Sequence, residues 1–487
     1  MAGIAGVDRK DAGTLVLAML DTMTHRGPDG CRVLAEDDFA FGMIALSAGP
    51  NAAVEPLSRN GKSVVWDGEL YNFEALRSEA NVEAVSDEDL LLKLYENEGP
   101  GFVGRLNGPF ALVIRDGDRI LLARDAMGQA PLYYGYREGR LCFASEMKAL
   151  QKATGEIQAL PPGHIFDGEL QAFEVKPLDS AVPEDAGSIA SALLQRLERA
   201  VEIRAAGDQP LGSWLSGGLD SATMAALASR YRSPLLTFSA GMVGAPDLAF
   251  ARKTAEYLGT RHFEVLYGVD DLLKILPRVI YHLESFDAPL VRSSLANFLV
   301  AELASRHVKA VLSGEGGDEL FAGYSYLKAL SGDEIPAALA QAQAALSNTA
   351  LQRVDRMASA HGTRARTCFL DPDVTAYANA IPMKWKIHES GSTEKWILRK
   401  ALEGRLPEEI RMRPKEKFWS GSGIGDKLAE VAETRISDEA FAAEKEIAPG
   451  LVLPSKEDLF YYRIFRESFP SPKAVEALGM TIHRQGN

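Results

Sequence analysis

The stretch that decides the fold is Leu211 to Ser221, Leu-Gly-Ser-Trp-Leu-Ser-Gly-Gly-Leu-Asp-Ser. A short apolar run, 211–215, ends in a Ser-Gly-Gly turn, and a helix-rich stretch, 222–231, follows. Strand, glycine loop and helix in that order place the loop at the carboxyl end of a strand, where open parallel sheets bind ligands. Two glycines let backbone N–H groups approach an anion closely, and a helix N-terminus adds about half a positive charge. The hydroxyls of Ser216 and Ser221 can donate to phosphate oxygens. Asp220 would repel phosphate unless a cation lies between them, so the loop predicts Mg²⁺. It carries no Walker lysine, which disfavours a P-loop nucleotidase. A glycine turn capped by Ser and Asp reads the same in isolation, so the flanks must decide.

Downstream the chain alternates. A strand at 235–240 precedes a helix near 247–258, a strand near 262–266, helices near 270–284 and 293–306, and a strand at 308–312. Upstream, a helix runs from about Ser188 to Ala205. This alternation predicts a parallel sheet with helices on both faces. The last strand leads into Ser313-Gly-Glu-Gly-Gly-Asp-Glu319, with three acids and three glycines in seven residues. Clustered carboxylates beside a phosphate loop point to metal coordination and a general base. A third segment, Arg413-Pro-Lys-Glu-Lys-Phe-Trp-Ser-Gly-Ser-Gly423, could neutralise a phosphate ester or an oxyanion; alone it is only a charge run. Beyond residue 325 the pattern is mainly helical, with an Ala-rich run at 337–350.

Residues 1–175 have a different texture. Short apolar runs broken by turn residues predict an α+β domain dominated by antiparallel sheet. Arg115-Asp-Gly-Asp-Arg119 reads as a hairpin turn, and helices are expected over Asp11–Thr24 and Ser86–Asn97, the latter capped by Ser86. Residues 176–188 are polar, with two prolines and no apolar period, and form the expected linker to a second domain, 189–487.

The chain has 487 residues, 46% of them hydrophobic, with 53 basic and 67 acidic side chains giving a net charge of −14. That balance argues against a nucleic-acid partner. Three cysteines, Cys31, Cys142 and Cys368, cannot build a disulfide framework or a Cys-rich zinc site. Asp8 and Asp11 interrupt any signal-peptide core, and no run nears the ~18 apolar residues of a membrane span. A cytoplasmic protein with no membrane partner is the expectation.

Together these motifs resemble the asparagine synthetase family over nearly the whole chain. SGGLDS (216–221) is similar to its ATP pyrophosphatase loop, and VLSGEGGDELFAGY (311–324) to its second loop. FLD (369–371), TEKWILRKAL (393–402) and RPKEKFWSGSG (413–423) continue the match. In the first domain GIAG (3–6), HRGPDG (25–30), GELYN (68–72), SDED (86–89), ARDAMGQAPLYY (123–134), FASEMKAL (143–150) and LPPGH (160–164) match as well. The resemblance implies an Ntn-hydrolase-like four-layer αββα domain of the glutamine amidotransferase kind, followed by an α/β ATP pyrophosphatase domain, adenine nucleotide α-hydrolase-like, with a helical C-terminal part.

It also implies roles. ATP is attacked at its α-phosphate by a carboxylate, and an amine displaces AMP from the acyl-adenylate. Ser216, Gly217, Gly218 and Ser221 would hold the pyrophosphate, with Asp220 and Asp318 on Mg²⁺. Leu215, Ala240, Ser313 and Gly314 would flank the nucleotide. Glu315 would deprotonate or orient the amine, and Lys415 would stabilise the α-phosphate and the tetrahedral oxyanion. Arg292, Asp318 and Glu319 fall in substrate-binding stretches. ATP, a small carboxylate and ammonia or another amine are the implied substrates, aspartate with ammonia the default pair, and a homodimer the implied assembly.

The pattern breaks in the first domain. Ala2 stands where the family has its nucleophilic cysteine, and a methyl group cannot form a thioester. Ala45 aligns with the arginine expected to bind the glutamine carboxylate. Asp67 aligns with an oxyanion-donating asparagine, and a carboxylate there would repel an oxyanion. Losing nucleophile, clamp and donor together reads as loss of glutaminase chemistry, with Gly68 and Asp87 left idle. In the second domain Arg364 replaces an acid and Cys368 a proline before FLD, and Pro289 and Leu290 stand where some relatives carry hydroxyls. The leading expectation is a glutamine-independent, AMP-forming amide ligase. A β-lactam or carbapenam synthetase-like cyclase is the alternative, although those cyclases tend to place Tyr where Glu315 stands. A non-catalytic scaffold subunit would require broken ATP chemistry, and the motif residues for that chemistry are all present.

Overall fold

The computed structural model describes all residues except 1–2, 11, 37, 47–54, 176–180, 208, 331–332, 389–392, 416–420 and 480–487. The chain divides into two compact units. One comprises Met1–Pro177, Ser359–Arg364 and Arg466–Gly479, the other Leu178–Ala358, Ala365–Phe465 and Met480–Asn487. Two short segments of the C-terminal half thus belong to the first unit. Ala2 and residues 176–180 of the expected linker lie outside the described residues.

The first unit holds two six-stranded sheets. One orders its strands Gln158–Ala159, Tyr133–Arg137, Arg140–Ala144, Gly3–Val7, Ala40–Ala45, Gly30–Ala35; the other Leu170–Ala172, His164–Phe166, Arg119–Arg124, Phe110–Asp116, Lys62–Gly68, Leu57–Arg59. The second sheet is apolar on both faces, and its residues sort by parity. Val65, Ala111 and Val113 join Ile4, Phe41 and Phe143 of the first sheet in one core. Val64, Trp66, Leu112 and Ile114 join Leu90, Leu91 and Leu94 of helix Asp87–Glu98 in another. Helix Gly13–Asp21 packs Val16, Met19 and Leu20 on the first sheet. The layers therefore run helix, sheet, sheet, helix. Asp116 pairs with Arg119 across the expected hairpin, with Gly117 at φ 60°. Ser86 Oγ accepts from Asp89 N at 3.2 Å at the expected cap.

The second unit is built on a five-stranded sheet ordered Arg261–Tyr267, Leu236–Met242, Leu211–Trp214, Ala310–Ser313, Arg364–Thr367. The pairings among the first four strands are parallel. The chain starts at the central strand Leu211–Trp214, moves outward twice, and returns to the other side with Ala310–Ser313. This reversal is the topological switch point, and it opens a crevice beyond the carboxyl ends of the two adjacent strands. Ser213 pairs with Leu312, so the loops that follow these strands are neighbours. No helix among the described residues is long and apolar enough to cross a membrane.

Candidate active site

Strand Leu211–Trp214 hands over to the Ser216–Ser221 loop, and helix Leu219–Ala228 begins at Gly218 as its N-cap. Ser216 and Ser221 hydroxyls lie 3.0 Å apart, and the Ser221 hydroxyl also accepts from the Ser216 N–H at 3.1 Å. Gly217 has φ 84°, and a Cβ there would sit 2.3 Å from the Asp247 carbonyl oxygen, so only glycine fits. Arg413 clamps the turn from outside, donating to the Gly217 carbonyl at 2.8 Å and pairing with Asp247 at 2.5 Å.

The second loop follows strand Ala310–Ser313 and presses against the first. A Cβ on Gly314 would come within 2.8 Å of the Asp220 backbone, and one on Gly317 within 2.6 Å of Asp220 Oδ1. Part of the glycine excess in 313–319 therefore serves the approach of the two loops. That approach brings Asp220 and Asp318 to the same lysine. Lys395 Nζ pairs with Asp220 Oδ2 and lies 2.6 Å from Asp318 Oδ1. Lys415 Nζ holds the other Asp318 oxygen at 2.6 Å.

The electrostatics follow from that pairing. Burial opposes ionisation of Asp318, but Lys395 and Lys415 outweigh it and hold its carboxyl well below the usual range. Burial pushes Asp220 upward despite Lys395, with the Asp318 charge adding to the rise. Desolvation works against the Lys415 ammonium, yet Asp318 and Asp220 push its pKa up. Asp220 Oδ1 is buried with no hydrogen-bond partner. An orphaned carboxylate oxygen beside a second carboxylate suits Mg²⁺, which takes one or two protein carboxylates and completes its shell with phosphate and water. No group of three or more His, Cys, Asp or Glu suited to a metal occurs among the described residues, so phosphate oxygens would have to finish that shell.

These residues line one cavity of 430 Å³ within the second unit. It gathers Leu215, Ser216, Gly218, Asp220, Ser221, Ala240, Ser313, Gly314, Glu315, Asp318, Glu319 and Lys415. Of the remaining expected residues, Gly217 supports the loop as described. Arg292 is placed differently from the expectation: its guanidinium pairs with Glu457 and, at 3.3 Å, with Asp426, and it does not line the cavity. Pro289, Leu290, Ser293 and Asn297 of its helix do.

Glu315 lies 2.5 Å from Arg353 Nη2. Glu319 is buried and accepts from the Tyr324 hydroxyl; burial first, and then Asp318, push its pKa up to about 7. Two site residues escaped the sequence reading. Lys395 sits in the quoted TEKWILRKAL, but a lysine ahead of an apolar helix reads as solvated charge, and it is 2% exposed here. Arg353 lies on helix Ala350–Ser359 with no local signal of its pairing. Glu394, next to Lys395, accepts from the Lys415 backbone N–H at 3.0 Å and pairs with Arg399 at 2.7 Å, which fixes the start of the Lys415 segment.

In the first unit Asp67 and Arg364 are held by ion pairs. Asp67 is fully buried against Arg26 Nη2 at 3.1 Å. Arg26 Nη1 lies 3.0 Å from Glu146 and donates to Ser359 Oγ at 3.1 Å. Arg364 pairs with Glu69 at 2.8 Å and donates to the Gly68 carbonyl at 3.2 Å. Ala45 is buried within its strand. Burial, then Glu88 and Glu69, push Asp87 up to about 7.

The asparagine synthase family profile matches residues 192–349 and 333–484, and a glutamine amidotransferase domain profile matches residues 1–174. The chain is 35% identical to asparagine synthetase B [glutamine-hydrolyzing] of Escherichia coli (strain K12), over 94% of this chain and 88% of that protein. It is 34% identical to asparagine synthetase [glutamine-hydrolyzing] 3 of Arabidopsis thaliana, over 97% and 88%. It is 34% identical to the glutamine-hydrolyzing asparagine synthetase of Zea mays, over 95% and 84%.

Proposed function

The chain belongs to the asparagine synthetase family, and on that footing we propose that it is an AMP- and pyrophosphate-forming amide ligase taking nitrogen from ammonia or another amine, not from glutamine. The observation that carries the ligase half is the meeting of the 216–221 loop with Asp220, Asp318, Lys395 and Lys415 in one cavity. The glutamine-independent half rests on Ala2, Ala45 and Asp67, and on the ion pair that commits Asp67 to Arg26. The curated relatives are glutamine-hydrolyzing by name, and the reading that this chain is not rests on those three residues alone.

In the first step a substrate carboxylate oxygen bonds to the α-phosphorus of ATP, and the bond to the pyrophosphate oxygen breaks. The loop N–H groups and the Ser216 and Ser221 hydroxyls bind the leaving pyrophosphate. Asp220 and Asp318 would hold Mg²⁺, whose charge offsets that of the phosphates. Lys395 and Lys415 place two further positive charges beside that site. In the second step the amine nitrogen attacks the acyl carbon, AMP leaves with the electron pair, and Glu315 takes the proton. Lys415 supplies the fixed positive charge facing the tetrahedral oxyanion. Aspartate is the family's default carboxylate. Pyrophosphate release from MgATP, screened over carboxylates with ammonium present, tests the reading. AMP and pyrophosphate in equal amounts support it, and ADP with phosphate contradicts it.

A further inference from the structure

One amide in the cavity is left without a partner. Asn297, on helix Ala288–Ser305, is 5% exposed, lines the cavity, and makes no hydrogen bond with its side chain among the described residues. One turn earlier, Ser293 is buried beside it and donates its hydroxyl proton to the Pro289 carbonyl at 2.8 Å, so it can only accept. A primary amide carries two donors and an acceptor, and burying it unpaired is costly.

The strands show which part of the cavity Asn297 faces. A Cβ on Gly241 would lie 2.9 Å from Leu248 of helix Pro246–Leu258, so that residue faces that helix. Side chains alternate along strand Leu236–Met242, which turns Phe238 and Ala240 to the other face of the sheet. The Phe238 ring accordingly lies 5.8 Å from the ring of His307, just past the end of helix Ala288–Ser305. Trp214 pairs with Phe238 in register and faces the same way. The chain steps outward through helices Leu219–Ala228 and Pro246–Leu258 and returns through Ala288–Ser305. Right-handed connections then put the returning helix on the face opposite the other two. Trp214, Phe238 and Ala240 from the sheet and Ser293, Asn297 and Val300 from the helix therefore bound one end of the cavity as a slot. The slot adjoins the 216–221 loop, since Trp214 precedes that loop by two residues. A nucleotide whose phosphates sit on the loop has its base within reach of the slot.

We propose that Asn297 binds the adenine of ATP along one edge. The amide nitrogen donates to the ring nitrogen beside the 6-amino group, and the amide oxygen accepts from that amino group. Asparagine makes the same bidentate pairing with adenine in DNA grooves. The flat ring lies between the sheet side chains and Val300. A carboxylate only accepts and would leave the amide oxygen unpaired. The proposal rests on reading this cavity as the adenylating site, and it gives Asn297 no part in the chemical steps.

Equilibrium binding to the full-length protein with Mg²⁺ tests this, using ATP and purine riboside triphosphate, which has hydrogen in place of the 6-amino group. The wild-type protein should bind ATP about tenfold more tightly than the analogue. Asn297→Leu, close in volume, should cut that preference to less than about threefold, chiefly by weakening ATP binding. In ATP–pyrophosphate exchange the same variant should raise the KM for ATP about tenfold and keep kcat within about threefold. Equal binding of the two nucleotides by the wild-type protein overturns the inference without any variant. An undiminished preference in a folded Asn297→Leu protein also overturns it. So does a variant whose KM rises for the carboxylate and not for ATP, which would assign Asn297 to the acyl substrate. In those three cases ATP still binds and the adenylation reading stands. Binding of neither nucleotide by the wild-type protein overturns that reading and the inference with it.

Discussion

Arg353 Nη2 lies 2.5 Å from a Glu315 carboxylate oxygen, which ties helix Ala350–Ser359 to the loop that follows strand Ala310–Ser313. A carboxylate that must take a proton from an incoming amine works only if it is aimed, and a guanidinium on one oxygen leaves the other to act.

Arg353 is therefore a positioning residue. Arg353→Gln should lower kcat about 10- to 100-fold while the KM for ATP moves less than about threefold. Glu315→Gln should cost a similar factor, and the double variant little more, because the two act as one unit. Steady-state kinetics decide this. A raised ATP KM with kcat intact would assign Arg353 to nucleotide binding instead.

Lys395 lies buried between two half-buried carboxylates, Asp220 and Asp318. Lys395→Met should leave Asp220 without its ion-pair partner and Asp318 held by Lys415 alone, and destabilise the protein by about 3 kcal/mol. Mg²⁺ should restore part of that loss, because an ion that binds the folded site alone raises stability by mass action. Thermal melts of the variant with and without millimolar Mg²⁺ give the answer. A variant as stable as wild type, with no Mg²⁺ response, would remove the lysine and the carboxylates from a common site.

The Asp67–Arg26 pair is wholly buried. Asp67→Ala leaves a buried guanidinium short of one partner and should cost about 3–5 kcal/mol in denaturant unfolding. Glu146 also pairs with Arg26 and keeps Lys148 when Arg26 is removed, so the double change Arg26→Met, Asp67→Leu should cost less than the sum of the two single changes. Additive losses would mean that packing, not the ion pair, decides the site.

Asp87 gives the first unit a pH dependence of definite sign. Its folded pKa is raised to about 7 from the usual 3.8, mainly by burial. Between those values the unfolded chain has lost a proton that the fold keeps, so this group's contribution is full at acid pH. It falls as pH rises toward 7 and is flat above. Asp87→Asn removes that penalty and should raise stability at pH 8 by on the order of 4 kcal/mol relative to its effect at pH 4. Denaturant titrations at both pH values check it; an equal effect at both would show that Asp87 titrates normally.

The two glycine loops were legible because their chemistry is local. Ser216 to Ser221 and Ser313 to Glu319 each follow an apolar strand, and strand order alone brings them together. Lys395 and Arg353 were not legible, since each acquires its role from a carboxylate far away in sequence: 175 residues for Lys395 and Asp220, and 38 for Arg353 and Glu315. Arg292 stands apart from the other expected residues although its stretch lines the cavity. Its neighbours Pro289, Ser293, Asn297 and Val300 form a helical stripe along the cavity, while Arg292 stands off that stripe and reaches Glu457. The antiparallel and parallel sheets were readable from apolar runs and alternation. The return of Ser359–Arg364 and Arg466–Gly479 to the first unit was not, because it depends on tertiary packing that no local period encodes.

The source of the nitrogen tests the whole account most directly. The protein, MgATP and its carboxylate are supplied once with ¹⁵N-ammonium and unlabelled glutamine, and once with the labels exchanged. Mass spectrometry of the amide should find the label only from ammonium, with no glutamate formed. Label arriving from glutamine, with matching glutamate, would contradict the claim that this chain keeps the ATP-cleaving site and has lost the glutamine-cleaving one.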